Sequence, residues 1–192
     1  MAEIKSALEL ALEKAERYGK ASPQEMQELK WQEQARQLAG EFLRGKIELE
    51  PELKKFPGEA LPALSRQVKE ILLRNITLPR EGVVEEANQR AQAGMLQVAR
   101  DKKTAQRVLQ EIAQIFSSYN QVRNNALQQV KAQFNAQMDS VKKALEAQMQ
   151  RQVKVDVEQT PQFQEQWRAF EAQLNQQFEP LLDKHKSMLA TL

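Results

Sequence analysis

The chain has 192 residues, of which 41% are hydrophobic, 28% charged and only 6% aromatic, and its net charge is +2. It contains no cysteine, which excludes disulfides, thiolate metal sites and redox chemistry at sulfur. The positive charge is dispersed instead of forming the basic stripe that is typical of nucleic-acid-binding proteins. We therefore expect an elongated helical protein with much solvated surface and no binding to generic nucleic acid.

Apolar residues are spaced along the chain and form no long run. The longest run of large aliphatic residues is Ile71-Leu72-Leu73, whereas a membrane-spanning helix needs about twenty apolar residues. The N-terminus also lacks the pattern of a signal peptide. These features predict a soluble, cytoplasmic protein without membrane contact. Membrane attachment through an amphipathic helix at residues 2–18 is the least favoured alternative, because that helix mixes both charges.

The N-terminal part is predicted to contain two helices. The first covers residues 2–18 and ends at Gly19. The sequence Ser22-Pro23-Gln24-Glu25 then combines a capping serine, a proline at the first helical position and the glutamate of a capping box. The second helix therefore begins there and runs to about Arg44, with Gly45 as its C-terminal stop.

The middle of the chain predicts a short helical turn at Pro51 and two further helices. The third helix covers residues 59–76 and is bounded by Pro79, since the residue before a proline disfavours the helical conformation. The fourth covers residues 80–100 and has a face of mainly small side chains. A break within residues 100–104, with Asp101 as a cap of the next helix, is favoured; the alternative is that the two helices run on with a kink.

A long helix is predicted from Asp101 to Arg151, because this stretch holds neither proline nor glycine. The segment VKAQFNAQMDS (130–140) is followed directly by VKKALEAQMQR (141–151). An eleven-residue period corresponds to about 3.67 residues per turn, so one apolar face persists along the whole helix.

The C-terminal part predicts a return helix. The alternation of Val153, Val155 and Val157 with charged residues is typical of a short strand. Thr160-Pro161 then starts a helix that continues almost to Leu192, with apolar residues again eleven apart. Two helices of one period, joined by about ten residues, predict an antiparallel hairpin.

The hairpin has a predicted register. If the chain folds back around Asp156, the numbers of facing residues add to about 312. This rule places Phe134 opposite Phe178, Val130 opposite Leu182 and Leu127 opposite His185, and it ends the return helix opposite about residue 120. The complete prediction is an all-α protein with an N-terminal helical head (1–120) and a long, coiled-coil-like hairpin arm (121–192).

Common catalytic and cofactor signatures are missing from the sequence. The six glycines are too scattered for a phosphate-binding loop, and the only histidine is His185. A di-iron helical bundle needs Glu-x-x-His motifs, but Leu182 stands three residues before His185. We interpret His185 as a partly buried helix residue. The sequence predicts no enzyme, and it supplies no catalytic, cofactor-binding or metal site residues.

Two stretches, MAEIKSALELALEK (1–14) and NITLP (75–79), resemble an uncharacterised family of short, all-helical bacterial proteins. The resemblance covers most of the chain and implies a bacterial cytoplasmic setting. It implies no activity, ligand or functional residue.

The favoured hypothesis is a non-enzymatic interaction or scaffold protein that acts through helical, coiled-coil surface. Two paired helices leave spare apolar residues, such as Leu127, Leu182 and Met188, which favour an unknown protein partner or a homo-oligomer. The alternative is an RNA- or ribosome-associated factor that uses the mildly basic region 51–150. Salt separates the two, because phosphate binding weakens steeply with ionic strength.

Overall fold

The structure is a computed structural model that describes residues 23–79, 84–149 and 156–192. These ranges are helical and contain no strand, so the predicted all-α class is confirmed. The predicted helix 2–18 and two of the three alternating valines, Val153 and Val155, lie outside them. The elements are α1 (Pro23–Leu43), α2 (Leu49–Leu53), α3 (Leu61–Asn75), α4 (Val84–Val98), α5 (Lys102–Met149), a 3-10 turn (Val157–Gln159) and α6 (Pro161–Thr191).

The chain divides into two compact units, Met1–Leu72 and Leu73–Leu192. In the described part of the first unit, α1 contacts α2. Its three described helices each carry buried apolar side chains: Ala35, Leu38, Ala39, Phe42, Leu49, Leu53, Leu64, Val68 and Leu72. The predicted division into a head (1–120) and an arm (121–192) remains a prediction.

Gly45 ends α1 in the way that the sequence predicts. Its φ of 72° lies in the left-handed region, which glycine adopts without a steric cost. The Gly45 amide donates to the carbonyl of Phe42 at 2.8 Å, and the Lys46 amide donates to the carbonyl of Glu41 at 3.0 Å. This pair of bonds satisfies carbonyls that the helix end would otherwise leave without a partner.

In the second unit, a short connection joins α4 to α5. Asp101 caps α5, because its carboxylate accepts from the Thr104 amide at 3.0 Å and from the Thr104 hydroxyl at 2.5 Å. The break therefore falls between Val98 and Lys102, where the sequence predicts it.

The most extensive contact in the second unit is the one between α5 and α6. Thr160 caps α6 by accepting from the Phe163 amide at 3.4 Å, and Pro161 stands in the first turn. Val157 begins a 3-10 turn, capped by Asp156, and does not belong to a strand. The helix continues through Pro180 to Thr191, although proline there removes one backbone donor.

The register predicted for this helix pair is wrong. Phe134 lies against Phe163, and Phe178 lies against Tyr119, so the numbers of facing residues add to 297 in both pairs, not to 312. The end of α6 correspondingly reaches much further along α5 than predicted. The Arg100 amide donates to the carbonyl of Leu192 at 2.9 Å, so α6 extends to the start of α5 and does not stop opposite residue 120.

Candidate interaction face

The seam between α5 and α6 is held by an aromatic contact and a hydrogen bond from the same tyrosine. The rings of Tyr119 and Phe178 meet edge-on, with 5.4 Å between their centroids. The Tyr119 hydroxyl donates to the side-chain oxygen of Asn175 at 2.8 Å. Because Tyr119 is only 3% exposed, this bond satisfies a hydroxyl that burial would otherwise leave unpaired.

Further along the seam, a guanidinium group bridges the two helices. Arg123 lies over the ring of Trp167, 5.3 Å from its centroid, and its Nη2 is 2.8 Å from Oε1 of Glu171. Trp167 in turn stacks on Phe170 at 5.4 Å. The Arg123 side chain is 12% exposed, so its charge is satisfied by both the carboxylate and the aromatic face.

One flank of the pair carries a shallow groove beside Arg123. Its volume is about 330 Å³, and its lining mixes charged and apolar side chains: Arg123, Leu127, Glu158, Phe163, Gln164, Trp167, Arg168 and Glu171. Three of its four charged side chains form ion pairs, Arg123 with Glu171 and Glu158 with Lys131 at 2.7 Å. The groove therefore offers little uncompensated charge to a ligand.

Nearer the start of α5, the same flank is covered by the chain that follows α3. Ile76 and Leu78 are buried there, and they line a cavity of about 170 Å³ together with Leu182 and Lys186 of α6. Lys186 donates to the carbonyl of Ile76 at 3.1 Å. This strap, residues 76–78, buries Leu182 and leaves no open surface for a partner at that position.

Asn88 of α4 holds the strap from the other side. Its side-chain nitrogen donates to the carbonyl of Thr77 at 2.6 Å, and its oxygen accepts from the Thr77 amide at 3.1 Å. Asn88 is the buried polar side chain of the described core, at 3% exposure. A strand-like pair of hydrogen bonds from one amide group thus satisfies both backbone groups of Thr77.

The opposite flank is marked by His185 and Glu111, which face each other across the seam. The Nε2 atom of His185 is 3.2 Å from a carboxylate oxygen of Glu111, and Nδ1 is 2.7 Å from the carbonyl of Leu181. Both ring nitrogens therefore face oxygen atoms that can accept a hydrogen bond. The half-buried position of His185 agrees with its place on the apolar stripe.

Exposed apolar side chains line this second flank. On α5, Ile115 follows Glu111 by four residues and Val122 follows Ile115 by seven, so all three share one side of the helix. On α6, Leu181 precedes His185 by four residues, and Met188 follows it by three. Val122 is 43% exposed, Leu181 48% and Met188 39%, while Ile115 is half-buried. We call these four residues (Ile115, Val122, Leu181 and Met188) the apolar strip.

The strip differs in part from the spare apolar residues that the sequence suggests. Met188 is exposed as expected, but Leu127 is half-buried in the groove and Leu182 is 3% exposed. Leu182 was therefore assigned wrongly, because the strap covers it. Its neighbour Leu181 and Val122 on α5 were missed, and the helical spacing of Leu181 from Met188 is the signal that relates them.

The described residues bear on two further features, metal sites and membrane-spanning helices. Within the three described ranges, no group of three or more His, Asp or Glu side chains is placed to hold a metal ion. Among the helices of those ranges, none is both long and apolar enough to cross a bilayer.

Residues 50–191 match the model of a family of unknown function, DUF6657. The match covers well over half of the chain, so the protein belongs to this family. It includes the strap and the apolar strip. No curated protein sequence and no solved structure shows significant similarity to the chain.

Proposed function

We propose that this member of the DUF6657 family is a non-enzymatic interaction protein that binds a helical protein partner through the apolar strip. The observation that carries the proposal is the alignment of Val122, Leu181 and Met188 on one flank of a paired helix platform. Single exposed apolar residues are common on protein surfaces. Apolar residues that line up along one flank are typical of helix-binding surfaces.

The platform behind the strip supports this function because it is well ordered by specific contacts. The bond between Tyr119 and Asn175 and the ion pair between Arg123 and Glu171 join α6 to α5. A partner that packs on the strip meets side chains whose backbone is already positioned, so less ordering entropy opposes binding.

The chemistry of the strip also suits a protein more than a charged ligand. Its apolar residues surround one polar contact, in which the His185 imidazole faces the Glu111 carboxylate. Residues beside the strip, such as Ser118 and Gln177, are uncharged and exposed. This combination of an apolar centre and a polar rim is characteristic of protein interfaces.

The test compares how strongly an identified partner binds to the wild type, to a variant changed in the strip and to a control variant changed elsewhere on α6. Proteins captured from the native cell with the tagged chain are identified, and each is then purified and titrated against the wild type and two variants. Leu181→Glu places a charge in the strip. Gln176→Glu makes a similar change at an exposed α6 position five residues away and serves as the control.

We expect Leu181→Glu to weaken binding of a purified partner at least tenfold, and Gln176→Glu to leave it unchanged. The same titration includes a differently tagged copy of the chain itself. Equal binding of every purified partner, and of the second copy, by the wild type and Leu181→Glu would contradict the proposal.

A further inference from the structure

We propose that α6 is divided at Pro180 into two segments that are stabilised separately. The first is residues 161–179. The second, residues 181–191 together with Leu192, is called the latch. The latch closes on α5 and on the strap, and its closure completes the apolar strip. This role rests on the interaction function proposed above and specifies how the binding surface is regulated.

The local sequence does not favour a continuous helix through Pro180. A proline has no amide hydrogen to donate to the carbonyl four residues earlier, which here belongs to Gln176, and its ring disfavours the helical conformation of the preceding residue, Glu179. A helix with only local stabilisation therefore tends to end at such a position. Because α6 continues to Thr191, contacts with other parts of the chain are needed to hold the latch in helical form.

Two polar contacts attach the latch to two different elements. Lys186 donates to the carbonyl of Ile76 in the strap at 3.1 Å. On the opposite flank, Nε2 of His185 lies 3.2 Å from a carboxylate oxygen of Glu111 on α5. Neighbouring residues of the latch therefore contact the strap on one side and α5 on the other.

The end of the latch and its apolar side chains add to this attachment. The carbonyl of Leu192 accepts from the Arg100 amide at 2.9 Å, just before the start of α5. Leu182 and Leu189 are buried. Burial of these two leucines stabilises the closed latch, because opening returns their apolar surface to water.

The first segment of α6 is held by a different part of α5. Asn175 accepts from the Tyr119 hydroxyl at 2.8 Å, and Glu171 pairs with Arg123 at 2.8 Å. Tyr119 and Arg123 lie eight and twelve residues beyond Glu111, and neither takes part in the polar contacts of the latch. Two sets of contacts that share no residue can form and break as separate cooperative units.

Closure of the latch assembles the apolar strip from two elements. Leu181 and Met188 belong to the latch, whereas Ile115 and Val122 belong to α5. Opening of the latch separates the first two residues from the second two, so a partner that contacts all four binds the closed form alone. The population of the closed form thereby sets the affinity of the strip, and a bound partner stabilises the latch in return.

Hydrogen–deuterium exchange of the full chain, followed by mass spectrometry of overlapping peptides, tests whether the latch is separate. Exchange of residues 165–178 and of residues 181–192 is compared in the wild type, Lys186→Met and Lys184→Met. Lys186→Met removes the donor to Ile76 and keeps most of the apolar stem. Its other ionic contact, with Asp183 at 3.9 Å, lies within the latch. Lys184 is exposed and provides the matched control.

We expect the latch to exchange at least about tenfold faster than residues 165–178 in the wild type, with similar protection along its length. Lys186→Met should accelerate exchange of the latch by a further factor of about ten and leave residues 165–178 within about twofold, because one hydrogen bond from a charged group is lost there. Lys184→Met should change neither region.

Equal protection of the two regions in the wild type, or equal acceleration of both by Lys186→Met, overturns the separate latch. Exchange that rises gradually from residue 181 to residue 192 also overturns it, because such a gradient indicates fraying of the helix end. If the latch fails in this way while Leu181→Glu weakens binding of a purified partner, the proposed function stands without it. If Leu181→Glu leaves binding unchanged, the proposed function fails, and regulation of the strip by the latch fails with it.

Discussion

Phe134 of α5 lies edge-on against Phe163 of α6, with 5.4 Å between the ring centroids and 75° between the ring planes. Phe163 is 3% exposed and stands one turn after the Thr160 cap. This contact joins the first turn of α6 to a defined level of α5. Together with the Tyr119–Phe178 contact fifteen residues further on, it fixes the register of the pair.

The register predicts which engineered cysteine pairs cross-link within one chain. Cysteines at Phe134 and Phe163 should be bridged by a short bis-maleimide, whereas cysteines at Phe134 and Phe178 should not. The second pair is separated by about fifteen residues of helix rise, roughly 22 Å. Non-reducing electrophoresis and peptide mapping at low protein concentration distinguish the two. Efficient bridging of the second pair would show that the register is displaced.

Local signals in the sequence were sufficient to predict most helix boundaries. Gly45 stops α1, Asp101 caps α5 and Thr160 caps α6, and each acts through backbone groups within a few residues of itself. Such interactions depend on short segments alone, so a single sequence reveals them.

The register could not be predicted in the same way. Apolar residues recur along both helices with the same period. If one helix is shifted along the other by several whole turns, its apolar residues again face apolar residues, so apolar pairing alone permits more than one register. Specific polar pairs distinguish among them: Tyr119 reaches Asn175, and Arg123 reaches Glu171, only in the observed register. Dispersed Asn, Arg and Glu residues along a helix do not reveal which of them will pair.

The residues of the apolar strip could not all be predicted from the sequence, for a related reason. Leu181 and Leu182 are adjacent and identical, and both lie near the apolar stripe. Ile76 and Leu78 of the strap line a cavity together with Leu182. The strap therefore buries Leu182 but leaves Leu181 exposed. Which of the two leucines is buried depends on residues about one hundred positions away in the chain, and the local periodicity of α6 carries no information about them.

Replacement of Asn88 by alanine should destabilise the protein. The substitution leaves the amide and the carbonyl of Thr77 without their side-chain partner, and each unsatisfied buried group costs about 1–3 kcal/mol. Urea denaturation followed by circular dichroism measures the loss. Gln89→Ala, at the exposed neighbouring position, should change the free energy of unfolding by less than about 0.5 kcal/mol. Equal stabilities of the two variants would contradict the role of Asn88.

The cap of α5 predicts a pH dependence. Hydrogen bonds from the Thr104 side chain and amide lower the pKa of Asp101 below its usual range. The ionised cap therefore contributes stability above that usual range, and the contribution is lost as the pH falls through the lowered pKa. The difference in stability between the wild type and Asp101→Asn, measured with urea, should shrink as the pH is reduced from 7 towards 3. A difference that grows towards acid pH would contradict the ionised cap.

The dispersed charge predicts weak interaction with nucleic acid. At physiological salt, gel-shift titration with generic RNA and duplex DNA should show no more than weak, non-specific binding, because no concentrated basic stripe neutralises several phosphates at once. Sub-micromolar affinity that falls steeply with added salt would instead support the alternative of an RNA- or ribosome-associated factor.

Sedimentation equilibrium across a concentration series tests most directly whether the apolar strip mediates association. The wild type and Gln176→Glu should show an average mass that rises with concentration from that of one chain, 22.1 kDa, towards twice that value. Leu181→Glu should remain at the mass of a single chain throughout, because a carboxylate in the strip is not compensated in the paired state. A wild type that stays monomeric at high concentration, or a Leu181→Glu variant that associates as strongly as the wild type, would contradict association of this chain with itself through the strip.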